Sequence, residues 1–376
     1  MQQGDARVAV VGGGVLGVST AVHLARAGAD VHLLTEAGLA SGASGRSLSW
    51  LNSSSAYSAA YHALRLLGLE RYRTLAARLD EAGTMTPYLR MDGGLRWVDE
   101  GETDRLRELH EHHLRAGYPS SWLTPDDVAR CVPGVDPAAV PGAGAVLNPG
   151  EGWVDLPTLV DFLARELAAL GGRVVTDAGP VDVEVRGGRV VAVAAAGERV
   201  EVDAAVVATG AQVPAALRRI GVELPDATAP ALLVRTTRVQ TPLRAVLNTP
   251  RVSLRPAPDA RLVMDAGWSE REVAAQDDGT YWVRPETVRG LLDAASAVLA
   301  GHPRLDLESM GVGPKPVPGD GQPVLGRVDA VAGYHVAFTH SGATLGLVCG
   351  ELLAQEVLGG APDPLLEPFR PARFSR

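Results

Sequence analysis

The chain begins with an apolar run that enters a glycine cluster and then a helix: Val8-Ala9-Val10-Val11, followed by Gly12-Gly13-Gly14-Val15-Leu16-Gly17. A second strand follows, Val31-His32-Leu33-Leu34, with Glu36 just beyond it. A lone GxGxxG says little, but strand, glycines, helix, second strand and acid arrive here in register, and each part has a physical task. Gly12 permits the tight turn, Gly14 lets a pyrophosphate approach the backbone, and Gly17 lets helix and strand pack closely. The helix N-terminus offers unpaired N–H groups and the positive end of its dipole to phosphates. Glu36, nineteen residues past Gly17, is placed to accept from ribose hydroxyls. The unit predicts a dinucleotide site.

With 376 residues, two domains are expected. Apolar content of 46% with 21% charged residues fits a globular chain, and no run approaches the roughly 18–20 apolar residues of a membrane span. The first strand lies close to the N-terminus with no secretion signal before it, so a cytoplasmic location is expected. Cys131 and Cys349 form neither a disulfide framework nor a metal pattern. A net charge of −9 argues against a nucleic-acid partner. Lys315 is the only lysine among 35 basic residues other than histidine.

The small-residue segment Gly38 to Ser47 reads either as a ligand-lining loop or as a flexible surface loop. An amphipathic helix fits roughly 56–81, with Leu64, Leu67, Leu75 and Leu79 near helical spacing. A strand at 94–98 and a charged helix near 102–116 follow. Glu111, His112 and His113 read as a solvated helix face, because adjacent histidines diverge, and no metal is expected. Asp155-Leu156-Pro157 opens a helix over 159–170 that Gly171-Gly172 ends. Strands are predicted at 173–175, 181–185 and 190–193, the last two joined by a Gly187-Gly188 hairpin turn. The run 204–208 meets Thr209-Gly210, where a ligand could approach. An antiparallel sheet over 232–283, a helix over 285–299, a strand at 334–338 and a helix through Val357 complete the chain. The fold class is α/β, α+β overall. The dinucleotide domain is expected from 1–87, 150–230 and 310–376, and a substrate domain with a mixed or antiparallel sheet from 88–149 and 231–309.

The N-terminal unit, the Ala43–Ser47 segment, Ala208-Thr209-Gly210 and His340-Ser341-Gly342-Ala343-Thr344-Leu345 together resemble the D-amino-acid oxidase superfamily of flavoproteins, which includes glycine oxidase, sarcosine oxidase and D-amino-acid dehydrogenases. The resemblance implies a glutathione-reductase-type Rossmann-like domain holding FAD. It implies that Gly12, Gly14, Val15 and Leu16 cradle the pyrophosphate and that Glu36 binds the adenosine ribose. Ala43, Ser44, Arg46, Ser47 and Leu48 would follow the phosphates and ribityl chain, Val181 would offer backbone to the adenine, and Gly210 would let the cofactor pass. Independently, a strand ending in His-Ser-Gly and opening a helix aims unpaired N–H groups over the turn. With Gly342, Ala343, Thr344 and Leu345 under a flavin pyrimidine edge, the dipole would favour reduction; an ordinary N-cap by Ser341 or Thr339 is the other reading.

Lys315 stands where the family's Gly-x-Arg-Pro element carries an arginine that grips a substrate carboxylate. A lysine cannot make that planar bidentate pair, and a solvated lysine on a proline-rich loop is the alternative. Neither cysteine matches the covalent flavin attachment of sarcosine oxidases, so non-covalent FAD is expected. The stretch Arg261 to Asp265 lacks the lysine those enzymes use with oxygen. Arg255 is read either as a substitute positive charge or as a surface arginine, and His340 as a residue that orients substrate, tunes the flavin or completes a turn. The expected activity is oxidation of a C–N bond in a small-molecule amine or amino acid, with oxygen or another acceptor. Oxidation or desaturation of a larger amine, and a FAD-holding subunit that needs a partner chain, are the alternatives. Oligomeric state is left open.

Overall fold

The computed structural model describes residues 6–81 and 88–375. The first strand, Arg7–Val11, lies inside a six-stranded sheet in the order Val324–Arg327, Tyr334–Phe338, Ala204–Val207, Arg7–Val11, Asp30–Leu34 and Arg173–Val175. All neighbours in it pair parallel except the Val324–Arg327 edge. Residues 8–11 and Ala204–Val207 at its centre are apolar and buried because both faces are covered. Three well-separated stretches of chain therefore build one sheet. A small antiparallel sheet of Asp182–Arg186, Arg189–Ala195 and Glu198–Glu201 sits beside it. Its hairpin turns on Gly187 (φ 56°) and Gly188 (φ 72°), the two successive positive values a type I′ turn needs.

On a first helix, Val15–Arg26, pack two others, Leu156–Ala169 and Gly342–Val357. Gly342, Gly346 and Gly350 recur every four residues on the last of them. A Cβ on Gly346 would stand 2.6 Å from Val15 Cγ2, and one on Gly350 would collide with Ser19. This stripe lets the two ligand-facing helix starts approach one another. The Ala59–Glu81 helix buries Leu64, Leu69 and Tyr72 against the same core, and Tyr72 donates to the Ala343 carbonyl at 2.7 Å.

The second sheet has eight strands, in the order Leu307–Lys315, Ala229–Thr236, Arg261–Asp265, Ser253–Ala257, Val246–Asn248, Gly94–Arg96, Ala145–Asn148 and Ser121–Leu123. One face, with Val234, Leu254, Leu262 and Met264, packs on the Pro285–Val298 helix. The other carries Leu233, Val246 and Val263 and meets Leu48 and Trp153. That inner face is the floor of the site.

Several expectations need correction. Residues Ala43–Arg46 form a turn of 3-10 helix with Ser44 buried, not a flexible loop. Lys315 ends a nine-residue strand and is not on a solvated loop. The helix predicted from 56 begins at Ala59. His113 is not solvated: it is 2% exposed, beside Tyr118, with Nδ1 near Asn148 Nδ2 and Ser120 Oγ. No cluster of metal-ligating residues occurs among the described residues.

Burial, then the nearby Arg96, lowers the His113 pKa from 6.5 to about 4. The unfolded imidazole takes up its proton near 6.5 while the folded one stays neutral. This contribution is therefore complete above pH 6.5 and lost as pH falls towards 4. At 1.36 kcal/mol per unit it amounts to about 3 kcal/mol. Urea unfolding at neutral and mildly acidic pH should show His113→Gln losing less stability on acidification than the parent chain.

Candidate functional site

The glycine turn is built as its spacing requires. Gly12 has φ 122°, and a Cβ on Gly17 would collide with the Gly12 carbonyl oxygen. A Cβ on Gly14 would meet only Ser44 Oγ, at 3.2 Å. Gly14 occupies the N-cap position without a side-chain cap. Val15 N–H donates to Ser44 Oγ at 3.0 Å, while the N–H groups of Leu16 and Gly17 have no partner among the described residues. The Glu36 side chain is exposed at the end of the second strand, and its carbonyl accepts from Gly179 N–H at 3.1 Å. This draws the 177–181 turn alongside it. Val181 lines a small cavity of about 50 Å³ with Val11, Val207 and Thr209. Ser44→Ala should cost about 1 kcal/mol in chemical denaturation, since a buried N–H loses its acceptor at a helix start.

From Ser44 the chain crosses the inner face of the second sheet. Arg46 lies over Gly311 and Gly313, where added Cβ atoms would stand 2.7 Å from its side chain. It donates to Ser41 O at 2.5 Å, and its buried Nε has no partner among the described residues. Ser47 Oγ accepts from Ser49 N–H at 3.0 Å and fixes the bend at Ser49, whose φ is 56°. Leu48 packs on Leu233 and Val263. Trp50 Nε1 donates at 2.8 Å to Glu151, a fully buried carboxylate that also accepts from Tyr118 OH at 2.7 Å. Burial raises the Glu151 pKa to about 7 against these hydrogen bonds.

The third component is the start of the Gly342–Val357 helix. Ser341 is its N-cap residue but makes no side-chain cap. Thr339 Oγ1 accepts from Ser341 N–H at 3.0 Å. The N–H groups of Gly342, Ala343 and Thr344 have no partner among the described residues, and the first intrahelical bond is Leu345 N–H to Ser341 O, 3.0 Å. The Ser341 hydroxyl is engaged elsewhere, by Tyr61 OH at 2.6 Å and by Arg65. Arg65 also donates to Asn52 O at 2.6 Å and stacks 4.4 Å from the Tyr57 ring centre. Thr344 Oγ1 reaches Trp50 O at 3.3 Å. Gly210 adopts φ 58°, and among the described residues nothing lies near its missing Cβ and the buried Thr209 Oγ1 beside it has no partner.

At the far end of the inner face four titratable groups converge. Lys315 Nζ pairs with Glu270 Oε2 at 2.6 Å. Asp265 has no hydrogen bond among the described residues. Burial first, then Glu270, raises its pKa to about 7 against the pull of Lys315 and Arg255. His340 is reached by solvent, yet enough protein surrounds it that burial, then Lys315 and Arg65, lowers its pKa to about 4. Its imidazole is held in the neutral form at physiological pH.

Arg255 is neither a surface arginine nor a free charge. It is 1% exposed, donates to Leu48 O and to Pro256 O, pairs with Asp155 at 3.6 Å, and lies 5.0 Å from the Trp153 ring centre. It holds the Leu48 segment on the sheet. Arg65, Asp265, Glu270 and Glu151 escaped the sequence reading. Only Asp265 had a usable signal, an acid closing the otherwise apolar run Leu262-Val263-Met264.

Two helix N-termini with unpartnered N–H groups, an exposed acid after the second strand and the unpartnered Arg46 Nε and Thr209 Oγ1 fit a long, anionic dinucleotide lying between the two sheets. The fold and site define a two-sheet dinucleotide-dependent enzyme. Residues 7–356 match the family described as FAD dependent oxidoreductase, and the chain belongs to that family. It is an oxidoreductase that uses FAD. The glycine oxidase of Bacillus licheniformis is 24% identical over 358 residues, covering 93% of this chain and 92% of that protein. A D-amino-acid oxidase of Bradyrhizobium diazoefficiens is 28% identical over 280 residues, 69% of this chain and 62% of that protein. The crystal structure of glycine oxidase from Geobacillus kaustophilus superposes with a TM-score of 0.83 at 24% identity, covering 99% of this chain and 100% of that one. No helix among the described residues is long and apolar enough to cross a membrane.

Proposed function

We propose that the enzyme oxidises a C–N bond of an amine or amino acid. The observation that carries this reading is the Lys315–Glu270 pair with Asp265 and His340 within its electrostatic reach, His340 standing just ahead of the uncapped start of the Gly342–Val357 helix; the relatives named glycine oxidase and D-amino-acid oxidase support it. Bound FAD supplies the acceptor for a hydride leaving the carbon next to nitrogen. Gly12, Gly14, Val15, Leu16 and Glu36 hold the adenosine and pyrophosphate end, and Ala43, Ser44, Arg46, Ser47 and Leu48 guide the middle of the cofactor. Val181 and Gly210 flank it, and the N–H groups of Gly342, Ala343 and Thr344, ahead of Leu345, favour negative charge developing at the far end. The substrate must present an unprotonated nitrogen, and Asp265 is placed to take that proton. Loss of a hydride from carbon and a proton from nitrogen leaves an imine, and water then gives a carbonyl compound and a free amine. His340 stays neutral beside Lys315 and so adds no charge where the amine binds. The test is product analysis with purified holoenzyme: one carbonyl and one amine released per two electrons passed to oxygen or an added acceptor. Oxidised product that retains its C–N bond would favour desaturation of a larger amine instead.

A further inference from the structure

Residues opposite one another in a sheet share a face, and the register places a polar row across the inner face of the second sheet. Asp265 faces Ser253, Ser253 faces Asn248, and Asn248 faces Arg96. Asn248 Nδ2 donates to Ser253 Oγ at 3.0 Å, and Arg96 Nε donates to Asn248 Oδ1 at 3.2 Å. Three strand spacings separate Asp265 from Arg96, about 14 Å. At the Arg96 end a cavity of about 530 Å³ opens, lined by Arg96, Asn248, Ala56 and Arg105, with the acids Glu102 and Glu108, among others. That volume suits a ligand well beyond the size of glycine. At the other end Lys315 is already neutralised by Glu270 at 2.6 Å, with Asp265 as a second acid beside them. An α-carboxylate brought there would meet two acidic side chains, and the Lys315 ammonium is already paired with one of them.

Resting on the amine-oxidation reading above, we propose that the substrate is an extended amine without an α-carboxylate. Its nitrogen lies at Asp265, and its distal part, bearing a carboxylate or carbonyl, occupies the cavity against Arg96. Arg96 spends its Nη1 on Ser54 O at 3.1 Å and stacks 5.4 Å from the Trp50 ring centre, which fixes the guanidinium while Nη2 keeps no partner among the described residues. The polar row between the two ends is hydrogen-bonded within itself, so it orients a chain lying over it without demanding further charges.

Anaerobic stopped-flow reduction of the FAD-loaded enzyme tests this with glycine, N-methylglycine, linear ω-amino acids from β-alanine to aminooctanoate, and alkylamines of matching length. Efficiency should rise with chain length, and the longer ω-amino acids should exceed their alkylamine counterparts by about tenfold, the value of one charge-assisted hydrogen bond. Arg96→Met should erase that difference. Ala56→Trp should penalise long substrates and spare short amines, with FAD content confirming that both variants fold. Trimethylammonium analogues of the ω-amino acids have no nitrogen lone pair and cannot be oxidised. Their binding, followed through the flavin absorption, should weaken about tenfold in Arg96→Met. Glycine or N-methylglycine reacting best, with efficiency falling as the chain lengthens, would overturn this substrate class and leave amine oxidation standing. Failure of every amine and amino acid to reduce the flavin would overturn both.

Discussion

Gly17→Val is expected to yield protein that retains less than about one-tenth of its FAD, a loss of at least 1.4 kcal/mol in cofactor binding. The Gly17 hydrogen faces the Gly12 carbonyl oxygen across a gap that no side chain fits. A branched side chain forces the Val15–Arg26 helix away from the first strand, and the Leu16 and Gly17 N–H groups move with it. The same overpacking should lower stability by about 1–3 kcal/mol. The absorbance ratio of flavin to protein after gel filtration, with unfolding measured alongside, checks both. Full FAD stoichiometry in the variant would show that the glycine turn is not the pyrophosphate site.

The second large effect concerns Arg255. Asp155 caps the Leu156–Ala169 helix, accepting from Thr158 N–H at 3.4 Å and from Thr158 Oγ1 at 2.8 Å, and its side chain is 5% exposed. Its two cations are Arg255 at 3.6 Å and Arg235 at 3.4 Å. Arg255→Met removes the more buried one, together with the donor to Leu48 O. Breaking one side of a buried pair costs about 3–5 kcal/mol, because the remaining charge stays buried. Urea denaturation should show that loss, and adding Asp155→Asn should recover part of it. An unchanged midpoint in Arg255→Met would mean that the Leu48 segment is held by apolar packing alone.

The local parts of this account were legible in the sequence. The glycine turn, the helix start at Asp155-Leu156-Pro157 and the Gly187-Gly188 hairpin are each set by a few adjacent residues, so spacing and turn chemistry reveal them; the helix start after Ser341 was visible too, but its lack of a cap depends on the distant Tyr61 and Arg65. The proposed reaction end was legible only at Lys315 and His340. Asp265, Ser253, Asn248 and Arg96 are brought together by strand register, which depends on pairings between distant segments. Arg65 reaches Ser341 across 276 positions of sequence, and no periodicity in its own helix marks it. Arg255 misled because a charged residue in an apolar strand suggests a solvent face, whereas Asp155 and the Leu48 carbonyl satisfy it inside. Lys315 stood out by composition, but only the Glu270 contact shows that its charge is already met.

The central claim is that one FAD site, anchored at the glycine turn, meets an amine at the Asp265–Lys315 end. Its most direct test is anaerobic mixing of the purified chain, yellow with bound FAD, with a panel of amines and amino acids, followed by admission of air. Bleaching of the visible flavin band by at least one amine, without any partner chain, is the predicted result. A chain that keeps its FAD fully oxidised against the whole panel, and bleaches only when a second protein is added, would contradict it.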